Sequence, residues 1–131
     1  MKAFDNSQFE TYKAEAQAKW GQTDAYKQHE ERTKAYSKQK WGDLAADMDR
    51  VMADFALCMQ SGETPASSQA QQLVKTLQEH INQNYYHCTN QILAGLGQMY
   101  TADERFRQNI DKHADGTAAF IREAIETYTK A

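Results

Sequence analysis

Apolar residues recur at helical spacing along most of the chain. Between residues 38 and 60, Trp41, Leu44, Ala45, Met48, Val51, Met52, Phe55 and Met59 follow one another mostly at steps of three and four. This is the strongest amphipathic stripe present, and it predicts a long helix with one face turned inward. Ser37 is placed to cap it, because a hydroxyl there accepts from a free N–H of the first turn. Ser61-Gly62 ends it, and residues 62–65 read as a loop closed by Pro65. Ahead of it, residues 6–19 predict a polar, weakly amphipathic helix with Phe9, Tyr12 and Ala16 on one face, stopped at Trp20-Gly21. Thr23 or Asp24 then caps a short helix running to about Tyr36.

Behind the loop, Ser68 with Gln71 has the form of a capping box. Leu73, Leu77 and Ile81 follow at helical spacing, and the stripe resumes at Tyr85, Cys88, Ile92, Leu96 and Met99. The pattern leaves open whether 69–100 is one helix or two, and places the break, if there is one, at Asn82-Gln83-Asn84. Thr101 with Glu104 suggests a second capping box for a short helix carrying Phe106 and Ile110. Residues 113–116 form a turn, and a last helix runs from about Thr117 to Thr129 with Phe120, Ile121, Ala124, Ile125 and Tyr128 inward.

Composition agrees with helices throughout. The 131 residues include one proline and only 7 Val plus Ile, against 19 Ala and 14 Gln. Strands draw on β-branched residues and helices on Ala, Gln, Glu, Lys and Met, so a β-sandwich and a doubly wound sheet are excluded. The length suits one domain able to bury its own core. A net charge of −3 argues against a stand-alone nucleic-acid binder. The chain shows no signal peptide and no apolar run near the length of a membrane span. Cys58 and Cys88 read as reduced, buried thiols of a cytoplasmic protein.

The distribution of charge changes the picture most. Of 33 charged residues, 19 lie in 1–54, 11 in 103–131 and only 3 in 55–102, so the centre of the chain is set apart. From His80 to Ala102 there is no Asp, Glu, Lys or Arg. This stretch is not greasy either: it holds His80, Asn82, Gln83, Asn84, Tyr85, Tyr86, His87, Thr89, Asn90, Gln91, Gln98 and Tyr100. Neutral hydrogen-bonding groups beside aromatics suit the wall of an apolar pocket with a few polar groups to orient a neutral ligand. The competing reading is a central helix whose amides meet solvent and neighbouring backbone.

Catalytic signatures are missing. No His has a Glu three residues before it, as di-metal helical bundles require. His29-Glu30-Glu31 lacks the second His of a zinc-protease helix. Cys58 and Cys88 have no metal spacing, and Cys88 beside His87 is no nucleophile dyad, since adjacent helical residues point about 100° apart. No enzyme, metal or cofactor is expected, and the four histidines read as ordinary side chains. Most of the aromatics read as core.

The run Trp20-Gly21-Gln22-Thr23-Asp24-Ala25-Tyr26, followed by Thr33, Tyr36-Ser37 and Trp41, resembles the TipAS domain family. So do Gln98-Met99-Tyr100-Thr101-Ala102-Asp103-Glu104-Arg105-Phe106 with Asn109-Ile110-Asp111, and Gly116 with Ala118-Ala119 and Ala124-Ile125. The resemblance spans about Phe4 to Tyr128. It implies an all-α, globin-like drug-recognition domain of about six or seven helices that binds no haem. Such domains usually close MerR-type transcription activators, behind a winged-helix DNA-binding domain and a dimerising coiled coil, and also occur alone as antibiotic-sequestering proteins. Their ligands are bulky, multi-ring, often peptidic antibiotics. The region before the Trp-Gly-x-Thr motif closes over the drug. Some members hold the drug covalently through a cysteine seven residues after the one matching Cys88; that position is Gly95 here, so the resemblance excludes capture there and leaves Cys88 as a weaker candidate for covalent capture. Thr117 stands where the family prefers leucine. The chain contains no DNA-binding part and is expected to be either a stand-alone product or an excised domain.

The expectation is therefore one ligand-binding domain over 1–131, with a mobile lid at about 1–36 and a stable helical core at 38–131. It recognises a small-molecule, antibiotic-like ligand without touching DNA or membrane, and is monomeric in isolation. The candidate contacts are Trp20 and Tyr26 from the lid, Phe55 and Met59 from the long helix, and His80, Asn84, Tyr86, His87, Gln91, Gly95 and Met99 from the wall. The alternative is a helical protein-interaction module without a small ligand. A haem-binding globin-like sensor is a weaker one.

Overall fold

The computed structural model describes residues 23–130, which form six α-helices and no strand. They are α1 (Asp24–Thr33), α2 (Lys38–Gln60), α3 (Ser68–Asn84), α4 (Asn90–Ala102), α5 (Glu104–Asp111) and α6 (Thr117–Lys130). The expected helix at 6–19 and its stop at Trp20-Gly21 lie outside the described residues. No described helix is long and apolar enough to cross a membrane.

Polar side chains punctuate these helices. Thr23, Ser37, Ser67, Thr89 and Asp103 each accept from a backbone N–H of the first turn of the helix that follows, which satisfies donors that the helix leaves free. Two caps differ from the capping boxes read in the sequence. Ser67, not Ser68, caps α3; the Gln71 amide does not reach back to the cap but donates to the carbonyls of Pro65 (2.9 Å) and Ala124 (3.0 Å). Asp103, not Thr101, caps α5, and its carboxylate is also held by Arg105. The Thr101 hydroxyl instead donates to Gln98 within α4. The first short helix ends at Thr33 rather than near Tyr36, because the chain must be extended again at the Ser37 cap.

Residues 69–100 are two helices, broken at 85–89 rather than at Asn82-Gln83-Asn84. Those amides stay helical and serve the break from inside α3. Asn82 Oδ1 accepts from the Cys88 N–H at 2.6 Å, and Asn84 Nδ2 donates to the His80 carbonyl at 2.9 Å. Gln78 Nε2, one turn earlier, donates to Cys88 O at 2.8 Å and Asn90 Oδ1 at 2.9 Å. Buried or half-buried backbone that leaves a helix needs such partners.

The core is built from α2, α3, α4 and α6. Val51, Met52, Phe55 and Cys58 from α2 meet Val74, Leu77 and Ile81 from α3, with Leu93 and Tyr100 from α4 and Phe120, Ile121, Ala124 and Ile125 from α6. The two central helices approach closely at Gly97, where a Cβ would lie 3.3 Å from Ile125. Gly62 and Gly116, each at φ 92°, supply the left-handed turns after α2 and before α6. Thr117, where the resemblance favours leucine, is fully buried, and its hydroxyl donates to Ala114 O at 2.7 Å. α1 stands apart from this core: Thr33 is its only buried residue.

Candidate functional site

α1 buries little, and several directed contacts tie it and the turn after it to the end of α3 and the 85–89 connection. The Arg32 guanidinium donates to Asn82 O. The Tyr36 hydroxyl donates to Asn84 O at 2.6 Å, and the His87 N–H donates to Gln28 Oε1 at 2.8 Å. The His29 ring stacks on Tyr85, with centroids 5.7 Å apart and planes 7° from parallel. Trp41 joins this group, 6.1 Å from both His29 and Tyr85 and edge-on to Tyr36 at 5.5 Å. The non-helical connection thus both carries aromatic rings and docks α1, whose His29 packs against them.

A cavity of about 220 Å³ opens beneath α1. Its lining comes from five helices and the connection: His29 from α1, Met48 from α2, Ile81 from α3, Tyr85 and Tyr86 from the connection, Leu96, Met99 and Tyr100 from α4, and Phe106 from α5. Leu96, Met99 and Tyr100 share one face of α4, being three and four residues apart. Burial pushes the Tyr86 phenol up to about 12 and raises those of Tyr85 and Tyr100. Burial also lowers the His80 imidazole from its ordinary value. At neutral pH these groups are uncharged, so the wall offers π faces, two thioethers, aliphatic surface and phenolic hydroxyls. His80 sits edge-on to Tyr85 at 5.8 Å, and its Nε2 is buried with no hydrogen-bond partner among the described residues.

Of the candidate contacts, Tyr86 and Met99 line the cavity. His80 and Asn84 stand next to it on the last turn of α3, behind Tyr85. Tyr26 is half-buried on α1. Phe55 lies in the core, fully buried, and Met59 packs against the core near Gly116. His87, Gln91 and Gly95 are exposed, and a side chain at Gly95 would meet open space. Trp20 lies outside the described residues. Lining residues that pattern alone did not single out are His29, Met48, Ile81, Tyr85, Leu96, Tyr100 and Phe106. The position of Tyr85 beside Tyr86 in the charge-free stretch was a usable signal for it. His29 had none, since docking of α1 brings it there.

Cys88 is buried behind Tyr86 and Tyr100, and desolvation pushes its thiol up to about 11. The reactive form of a cysteine is the thiolate, so this thiol is a poor nucleophile at neutral pH.

The same architecture occurs in known proteins. The TipAS antibiotic-recognition domain matches residues 12–128. The chain belongs to the TipAS antibiotic-recognition family. It is 37% identical over 122 residues to the HTH-type transcriptional activator TipA of Streptomyces coelicolor, covering 93% of this chain and 47% of that protein. It is 38% identical over 128 residues to the HTH-type transcriptional activator mta of Bacillus subtilis, covering 98% of this chain and 48% of that one. The chain therefore spans about half the length of these relatives. Among solved structures, TipAS of Streptomyces lividans in complex with nosiheptide superposes with a TM-score of 0.84 at 35% identity, over 98% of this chain and 87% of that one. The antibiotic-binding domain of a TipA-class multidrug resistance transcriptional regulator matches with a TM-score of 0.62 at 32% identity, over 66% of this chain and 93% of that one. The all-helical TipAS fold expected from the sequence motifs is the fold observed.

Proposed function

We propose that this domain binds bulky, multi-ring peptidic antibiotics in the cleft between α1 and the 85–89 connection. The observation that carries the reading is a cleft lined by aromatic and aliphatic side chains and covered by a helix whose only buried residue is Thr33. Its likeness to a nosiheptide-bound TipAS structure over 98% of the chain supports it. Ligand sites generally enclose about 300–1,000 Å³; the 220 Å³ present is smaller. A multi-ring ligand therefore enters by lifting α1, whose ties to the frame include the hydrogen bonds of Arg32 and Gln28 and the ring contacts of His29. The region up to about residue 36 is then the lid and 38–131 the frame. Binding is reversible, since Cys88 is buried and protonated and Gly95 has no side chain.

In this reading the domain acts in the cytoplasm as a non-catalytic monomer in isolation. It serves either as the effector part of a MerR-type transcription activator that reaches DNA through a separate domain, or as a drug-sequestering protein. A protein-docking role finds no support in surface hydrophobicity: Leu57 is the one large hydrophobic side chain that is exposed among the described residues, and docking faces are contiguous patches. Isothermal calorimetry with nosiheptide tests the proposal. One molecule is expected to bind with micromolar affinity or tighter, and Tyr86→Ala is expected to weaken it at least tenfold while the far-ultraviolet spectrum stays helical. Absence of binding to the folded domain overturns it.

A further inference from the structure

His80 lies one turn before the end of α3. It is half-buried, and its Nε2 is buried without a hydrogen-bond partner among the described residues. Its Nδ1 faces the Asn84 side-chain amide, whose Nδ2 is 3.4 Å away. The same Nδ2 lies 2.9 Å from the His80 carbonyl oxygen. Only an NH2 group can donate to a carbonyl, so this contact fixes which way round the amide lies. Nδ1 therefore meets a donor and presents its lone pair, and the ring proton sits on Nε2. Asn84 is the last residue of α3, and its backbone carbonyl accepts from the Tyr36 hydroxyl at 2.6 Å. Beyond it Tyr85 leaves the helix at φ −123° and ψ −62°, with its ring edge-on to His80. The amide that faces Nδ1 thus belongs to the residue where helix gives way to the connection.

We propose that His80 is a proton-operated fastener for the end of α3: the neutral ring accepts the Asn84 amide, and a proton taken from solvent at Nδ1 drives that amide off. An imidazolium is a donor at both nitrogens. Its Nδ1–H would confront the Asn84 NH2, donor against donor. Its Nε2–H would carry charge into a buried place with no acceptor, which is costly. Turning the amide over is no cure, because Oδ1 would then face the His80 carbonyl oxygen. The charged groups around the ring divide. Asp47 on α2 favours the cation, but Arg50 shares that carboxylate at 3.7 Å, and Lys40 on the same helix opposes the cation. The negative end of the α3 dipole favours a cation only within the last turn. From α1, Arg32 reaches Asn82 O and His29 stacks on Tyr85; positive charge there disfavours another on His80. Tyr36 and Tyr85 bring hydroxyls. Burial outweighs Asp47 and holds the imidazole below its ordinary value of 6.5. A histidine lowered by folding contributes its stability above its unfolded value of about 6.5 and loses it as the pH falls below. Acidification therefore loosens residues 84–86 locally, ahead of the frame.

Long-range proton–nitrogen NMR spectra of the unmodified domain, recorded from pH 7.5 down to pH 5, test this. His80 is expected as the Nε2–H tautomer at pH 7.5, with a titration midpoint below 6.5, and the Asn84 side-chain amide is expected to shift with the same midpoint. Amide exchange at residues 84–86, divided by the intrinsic rate at each pH, is expected to rise at least tenfold between pH 7 and pH 5, while residues 50–60 change less than twofold. His80→Phe keeps a planar ring but removes the titration, and the rise is expected to vanish. A proton on Nδ1 at pH 7.5, a midpoint at or above 6.5, no rise in exchange, or an equal rise in folded His80→Phe overturns the proposal. Asn84→Asp decides the matter where His80→Phe does not fold. It sets an acceptor opposite Nδ1, so the His80 midpoint is expected to move above 6.5 and the acid-induced rise to disappear. A midpoint left in place, or a rise that persists, overturns the proposal.

Discussion

Phe55 separates two roles that the sequence left entangled, core and ligand contact. Its side chain is fully buried in the core cluster with Val51, Met52, Val74 and Ile121, and it does not line the cavity. Phe55→Ala removes a phenyl ring that the frame cannot collapse around, because α2, α3 and α6 are each fixed by several other buried residues. A core Phe→Ala change costs about 3–5 kcal/mol through lost burial and the cavity left behind. Domains of this size hold only about 5–15 kcal/mol in total. The melting temperature is expected to fall by roughly 10–18 °C, and the urea midpoint to fall with an unchanged slope. At a temperature where the variant is folded, its affinity for nosiheptide should stay within about threefold of the unmodified domain. A loss below about 1 kcal/mol in the free domain, combined with a large loss of affinity, would place Phe55 in the binding site and refute the division between frame and cleft.

Gly97→Leu is expected to lose at least about 2 kcal/mol in a denaturant titration, because a Cβ there already approaches the immobile Ile125 and overpacked cores are destabilised. Cys88 is expected to resist iodoacetamide at pH 7.5 in the folded domain and to react only on unfolding or as the pH approaches 11; fast native-state labelling would contradict the burial that protects it. For Asp49, burial raises the carboxyl, but hydrogen bonds from Lys112 and His113 outweigh this and hold it below the ordinary carboxylate value. A group lowered by folding stabilises above its unfolded value near 4 and loses that contribution as the pH drops below it. Asp49→Asn is therefore expected to flatten the acid limb of stability below about pH 4, by well under 1 kcal/mol because the side chain is half-exposed; an unchanged acid limb would count against the bridge.

The frame was legible because its helices bury one face each. The 38–60 stripe placed Leu44, Val51, Met52 and Phe55 inward, and they are buried. Helix ends were less legible where two cap-forming residues stand close together. Ser67 and Ser68 differ only in which one reaches a first-turn N–H, and Asp103 competes with Thr101 by also binding Arg105. The amides at 82–84 look like a break in sequence because such residues favour loops, but here they stabilise a break just beyond themselves. The charge-free stretch pointed to the wall that carries Tyr86 and Met99. The meeting of His29 with Tyr85 could not be read, since it depends on how α1 docks across the connection, and nothing in local periodicity records that contact.

The most direct test of the central claim is a hydrogen-exchange map of the domain with and without nosiheptide. The cleft reading predicts rapid exchange across 24–36 in the free domain and strong protection there and at 80–100 when the antibiotic is bound, with 50–60 and 118–125 protected in both states. Slow exchange through 24–36 without ligand, or protection confined to helices away from the cleft, would contradict it.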